Sequence, residues 1–98
     1  MTTQEKVLAE IAKIAKAKKL DADVEFNWAN TGRVYFRKGL GPVVANMSFD
    51  FQSSGGYLTA AFLKGSQKAN YGTSEGKLFY ITYDGSFRGL FGYLKASL

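Results

Sequence analysis

Apolar residues recur at helical spacing over the first twenty positions and then switch to alternation. Val7, Leu8, Ile11, Ile14 and Ala15 fall at intervals of one, three and four, which builds a single apolar stripe on a helix over residues 2–20. Thr2 followed three residues later by Glu5 is a capping-box pattern, in which each side chain serves a backbone N–H orphaned at the helix start. Lys16, Lys18 and Lys19 sit in the last turns, where positive charge suits the negative end of the helix dipole. Termination and solubility are enough to explain them.

From Asp21 the period becomes two. Val24, Phe26 and Trp28 alternate with Glu25, Asn27 and Ala29, predicting a half-buried strand with Trp28 in the core. Asn30-Thr31-Gly32 reads as a turn, with Gly32 supplying a positive φ. A second strand at 33–38 puts Val34 and Phe36 on one face and Arg33, Tyr35 and Arg37 on the other. Gly39-Leu40-Gly41-Pro42 breaks the pattern. A longer strand over 43–52 follows, then the turn Ser53-Ser54-Gly55-Gly56 and an antiparallel partner over 57–64. Residues 65–76 lack periodicity, and connections of that size inside small domains often carry function. A last strand covers 77–83, with Phe79, Ile81 and Tyr83 on its core face.

At the C-terminus, Ser86 is the candidate N-cap of a short helix whose stripe is Phe87, Leu90, Phe91 and Leu94. Gly89 and Gly92 weaken such a helix, so each implies close packing of the backbone. The same stripe suggests a self-association surface and hence a homodimer or higher oligomer through that helix. The order α-β-β-β-β-β-α defines an α+β domain with an antiparallel meander.

At 98 residues the chain fits one domain. It has no Cys and no His, which excludes disulfides, thiol nucleophiles, Cys/His zinc sites and imidazole chemistry. The polar N-terminus lacks a signal-peptide core, and no apolar run approaches a membrane span, so a soluble, cytoplasmic protein without a membrane partner is expected. No cofactor is implied. The glycine-rich turns match neither a dinucleotide loop nor a phosphate loop.

Catalysis by a metal-dependent nuclease is a remote alternative. It rests on Glu75-Gly76-Lys77 with Asp50 upstream, a carboxylate pair and a lysine that could hold a divalent ion and an activated water. The spacing fixes little of the geometry that chemistry needs, so a non-enzymatic protein is expected.

Thirteen Lys and Arg against eight Asp and Glu give a net charge of +5, which favours polyanionic partners. Arg33, Tyr35 and Arg37 on one strand face, with Lys38 at its end, mix cations with rings. Lys64, Lys68, Tyr71, Lys77 and Tyr80 add a second patch. Single-strand binders combine these two elements, cations for phosphates and aromatic rings for unstacked bases. The expectation is therefore a sequence-tolerant nucleic-acid-binding module, with single-stranded DNA favoured. The bland reading of the same face is a solvated strand protected against aggregation. The alternative function is a small inhibitor or modulator that binds another protein, for example a phage-encoded one acting on a host enzyme, since Tyr, Trp and Arg also anchor protein interfaces. The element order is similar to that of double-stranded-RNA-binding domains, although Gly85-Ser86-Phe87-Arg88-Gly89 offers one Arg where those have a lysine-rich stretch. Residues 33–98 resemble the single-stranded-DNA-binding transcriptional coactivators in order and strand composition. Neither likeness assigns a family.

Overall fold

A reciprocal cap starts the first helix. In the computed structural model, which describes residues 2–28, 30–72 and 76–98, Thr2 Oγ1 accepts from the Glu5 N–H and Glu5 Oε1 accepts from the Thr2 N–H, each at 3.1 Å. Helix α1 (Thr3–Ala17) follows and buries Val7, Ile11, Ile14 and Ala15. It closes in a Schellman motif, with Leu20 N–H donating to Ala15 O and Lys19 N–H to Lys16 O, both at 2.9 Å. Lys19 takes the left-handed position at φ 60°, where glycine is usual.

Five strands form one antiparallel sheet in sequence order: β1 (Asp21–Trp28), β2 (Thr31–Arg37), β3 (Val43–Gln52), β4 (Tyr57–Lys64) and β5 (Lys77–Thr82). Helix α2 (Arg88–Ser97) ends the chain. The expected α+β meander with a helix at each terminus is thus the observed fold. No helix among the described residues is long and apolar enough to cross a membrane.

Both helices lie on one sheet face. Their buried residues join Val34 and Phe36 of β2, Met47, Phe49 and Phe51 of β3, and Leu58, Ala60 and Phe62 of β4 in one core. Burying a Phe side chain contributes about 1.5–3 kcal/mol, so the four core Phe are the main source of stability here. Phe79, Ile81 and Tyr83 pack against this core as expected.

The edge strand differs from its expected burial. Val24, Phe26 and Trp28 are 38%, 52% and 79% exposed. Five strands about 4.8 Å apart are wider than two helices packed about 9 Å apart can cover, so one edge stays open. Trp28 is also re-aimed. The register shifts between Phe26 and Trp28, which sets Trp28 opposite Thr31 rather than in phase with the core residues.

Gly32 is not a turn residue with positive φ. It lies buried within β2, opposite Phe26. A Cβ there would strike the Glu25 carbonyl oxygen and sit 2.9 Å from the Phe49 ring. Phe26 lies over that gap and meets Phe49 edge-on, with ring centroids 5.8 Å apart.

Helix α2 begins later than expected, with Phe87 at the N-cap and no side-chain cap bond. Ser86 Oγ instead accepts from the Arg88 N–H two residues on, at 3.1 Å. Leu90 and Leu94 are fully buried inside the chain, so half of the stripe read as a self-association surface is already occupied. Gly89 and Gly92 do not approach a neighbour. A Cβ at either would meet nothing within 4 Å.

Candidate nucleic-acid interface

The sheet face away from the helices carries the side chains that alternation turns outward. Across it run Glu25, Arg33, Ser48, Ala61 and Leu78 in one row, and Asp23, Tyr35, Asn46 and Leu63 in the next. The segment after β4 folds back over this face as a strap, and Asn46 holds it. The fully buried Asn46 carboxamide donates to Gly65 O at 3.3 Å and Gln67 O at 2.8 Å. Its Oδ1 accepts from the Ala69 N–H at 2.8 Å and from Arg33 Nη1 at 3.0 Å. Arg33 Nη1 also donates to Ala69 O, and Ala69 itself is fully buried.

Arg33 is therefore committed to the scaffold. Arg37 is engaged as well: its Nε lies 3.3 Å from Asp23 Oδ2, and its guanidinium sits 5.9 Å from the Tyr35 ring centroid. That ion pair is largely exposed and contributes at most about 1 kcal/mol. Asp21, Asp23 and Glu25 flank the whole basic stripe of β2, each directly opposite one of its residues. This part of the face is electrically mixed.

A different basic surface arises from the topology. In this meander the ends of β2 and β4 meet the beginnings of β1, β3 and β5 at one end of the sheet. Helix α1 finishes there, bringing Lys16, Lys18 and Lys19. Arg37, Lys38, Lys64, Lys68 and Lys77 lie at or just beyond strand termini at the same end. Helix α2 also ends there, since Ser97 and Leu98 border Val44, Ala45 and Lys64, and Lys95 is in its last turn. These are nine of the chain's thirteen Lys and Arg. Asp21 and Asp23 share that end. The opposite end, where Thr2, Thr3 and Gln4 border Asn30, Phe51, Ser53 and Tyr83, holds Glu5, Asp50 and Asp84 with Lys6 and Arg88.

The residues singled out from the sequence divide accordingly. Arg33, Tyr35, Arg37 and Tyr80 share the open face, and Tyr71 lies in the strap segment above it. Tyr80 is 67% exposed and stacks on Tyr57, with centroids 4.6 Å apart and an interplanar angle of 25°. Lys64 and Lys77 point to the helix side, in register with Ala45 and Phe62, and Lys77 Nζ lies 6.0 Å from the Tyr93 ring centroid. Lys38 lies in the turn after β2, and Lys68 in the strap. Asp50 projects from the open face and accepts from the Gln52 amide, so it and Lys77 face opposite sides of the sheet. Glu75 lies outside the described residues. Among the described residues, no group of three or more acidic, His or Cys side chains could hold a metal.

Burial first, and then the charge of Asp50, raises the Tyr71 phenol above its ordinary pKa, with Arg33 pulling the other way. Burial and Asp50 raise Tyr83 likewise. Sequence reasoning missed Asn46, Ser48 and Tyr57, and it read the α1 lysines only as helix termination. Asn46 and Ser48 were visible as polar residues in a strand otherwise rich in apolar ones. Their significance depends on a strap whose path no local pattern specifies. Compared with known family models, characterised proteins and solved structures, the chain matches none.

Proposed function

We propose that the chain is a non-enzymatic, sequence-tolerant nucleic-acid-binding module that meets its ligand with the basic end of the sheet, single-stranded DNA being favoured. The observation that carries this reading is the convergence of nine cations, against Asp21 and Asp23, on one end of the sheet, while the opposite end holds Lys6 and Arg88 against three carboxylates. Lys19 adds to it: a lysine occupies a backbone position that glycine would fill at less cost. Lys38, Lys64, Lys68 and Lys77 contact phosphates together with the lysines that end α1. The exposed rings of Tyr80 and Trp28 and the half-buried Tyr35 and Tyr71 supply stacking surfaces for unpaired bases. The Nη1 group of Arg33 serves the scaffold, and Arg37 is paired with Asp23.

Titration of labelled single- and double-stranded oligonucleotides at two salt concentrations tests the reading. Replacing Lys18, Lys19 and Lys38 with Gln should weaken binding to every sequence and flatten the single-strand salt slope by about two units. Absence of binding at low salt overturns it. The open edge of β1, with Val24, Phe26 and Trp28 exposed, favours a second reading, a protein partner docked along that edge. Such binding would be insensitive to salt and lost on Phe26→Ser.

A further inference from the structure

Between the strap and the first three strands lies a depression of about 360 Å³, bordered by Asn27, Thr31, Arg33, Ser48, Asn70 and Tyr71 among others. Ser48 is 3% exposed, and its Oγ has no hydrogen-bond partner among the described residues. Buried hydroxyls are normally paired, so an orphan bordering a cavity marks a place where something else supplies the bond. Arg33 faces Ser48 directly across the sheet. Its Nη1 group serves Asn46 and Ala69, Nε and Nη2 are further donors of the guanidinium, and Arg33 lines the depression. Tyr71, from the strap, lines the depression as well.

The chemistry of these walls narrows the occupant. Ser48 both donates and accepts, Arg33 donates, and the Asn27 amide does either. A flat ring with donors and acceptors on its edge would use them all while stacking on Tyr71. Arg33 is the one charged residue among the described residues lining the depression, whereas the phosphate-seeking lysines lie at the end of the sheet. The volume is at the small end of ligand pockets and suits one heterocycle.

We infer that this depression is a nucleobase site, which receives one unstacked base through Ser48, Arg33 and the Tyr71 ring. The inference rests on the nucleic-acid reading above and assigns it a second subsite. Phosphates are held by the lysines, and a base is held beneath the strap.

Nuclear magnetic resonance titration with adenosine and cytidine, which carry no phosphate, separates the two. At millimolar nucleoside the signals of Thr31, Arg33, Ser48 and Tyr71 should shift while those of Lys18, Lys19 and Lys38 stay in place. Ser48→Ala removes a hydroxyl with no partner among the described residues, so the variant should keep or raise its melting temperature. Its nucleoside affinity should fall roughly two- to tenfold, the worth of one hydrogen bond. Oligonucleotide binding with a normal salt slope, but no nucleoside-induced shift in the depression, would overturn the base site and leave the polyanion reading standing. Nucleoside shifts in the depression without oligonucleotide binding would uphold the base site and sink the polyanion reading. An unchanged nucleoside affinity in Ser48→Ala would also overturn it.

Discussion

Asn46 and Arg33 hold the strap jointly. The Asn46 Oδ1 accepts from Arg33 Nη1 at 3.0 Å while both side chains bond the strap backbone, so the two neighbouring strands and the strap form one hydrogen-bonded unit. A guanidinium that the strand pattern turns toward solvent is in this way made part of the interior.

Asn46→Ala removes four hydrogen bonds at a fully buried position and leaves strap carbonyls without their donor. Stability should fall by about 2–3 kcal/mol, measured by urea denaturation. Hydrogen exchange at the Ala69 amide should accelerate more than exchange at the Phe49 amide. Equal acceleration at both would mean that Asn46 supports the whole sheet and not the strap.

The glycines should separate by sign. Gly32→Ala drives a methyl group into the Glu25 carbonyl and the Phe49 ring, costing about 1–3 kcal/mol. Gly92→Ala places its methyl in open space within α2, gaining about 1 kcal/mol of helix propensity. Thermal unfolding of both variants checks the pair.

Lys19→Gly should relieve the left-handed backbone at the end of α1 and raise stability by about 1 kcal/mol. It also removes one cation from the basic end. Higher melting temperature combined with weaker oligonucleotide binding is the expected outcome. Unchanged binding would exclude Lys19 from the interface.

Stability should decline on both sides of a neutral plateau. The hydrogen bond from the Thr2 N–H holds the Glu5 carboxyl below its ordinary pKa. Its contribution is therefore present above the unfolded value, about 4 for a carboxylate, and is lost as pH falls through the lower folded value. Glu5→Gln should flatten that acid limb. Tyr71 and Tyr83 are raised, so their neutral forms favour the fold below the unfolded value of about 10, and that contribution is lost as pH rises further. Tyr71→Phe should reduce the alkaline limb, followed by circular dichroism across pH.

Local patterns were legible where local physics decides the outcome. The cap of Thr2 and Glu5, the stripe of α1 and the alternation of β3 and β4 all follow from contacts a few residues apart or from one buried face. Trp28 defeated the same logic because a single-residue register shift reverses the side a strand residue faces, and nothing in the sequence around Phe26 announces it. Gly32 did so for a related reason, since its meaning depends on the Phe49 ring two strands away from Phe26. The candidate interface was half visible. Lys38, Lys64, Lys68 and Lys77 were singled out by their charge, but their association with Lys16, Lys18, Lys19 and Lys95 exists only once alternate strand ends are folded to one side. Arg33 looked free because alternation reports which face a residue occupies and says nothing of a strap crossing that face.

Nine cations against two carboxylates at one end, and two cations against three carboxylates at the other, give the molecule a permanent electric dipole along its strands. In the field of a polyanion it experiences a torque as well as an attraction, so it turns before it touches. Under the proposed function, first contact would then be end-on, with the strands standing away from the polymer.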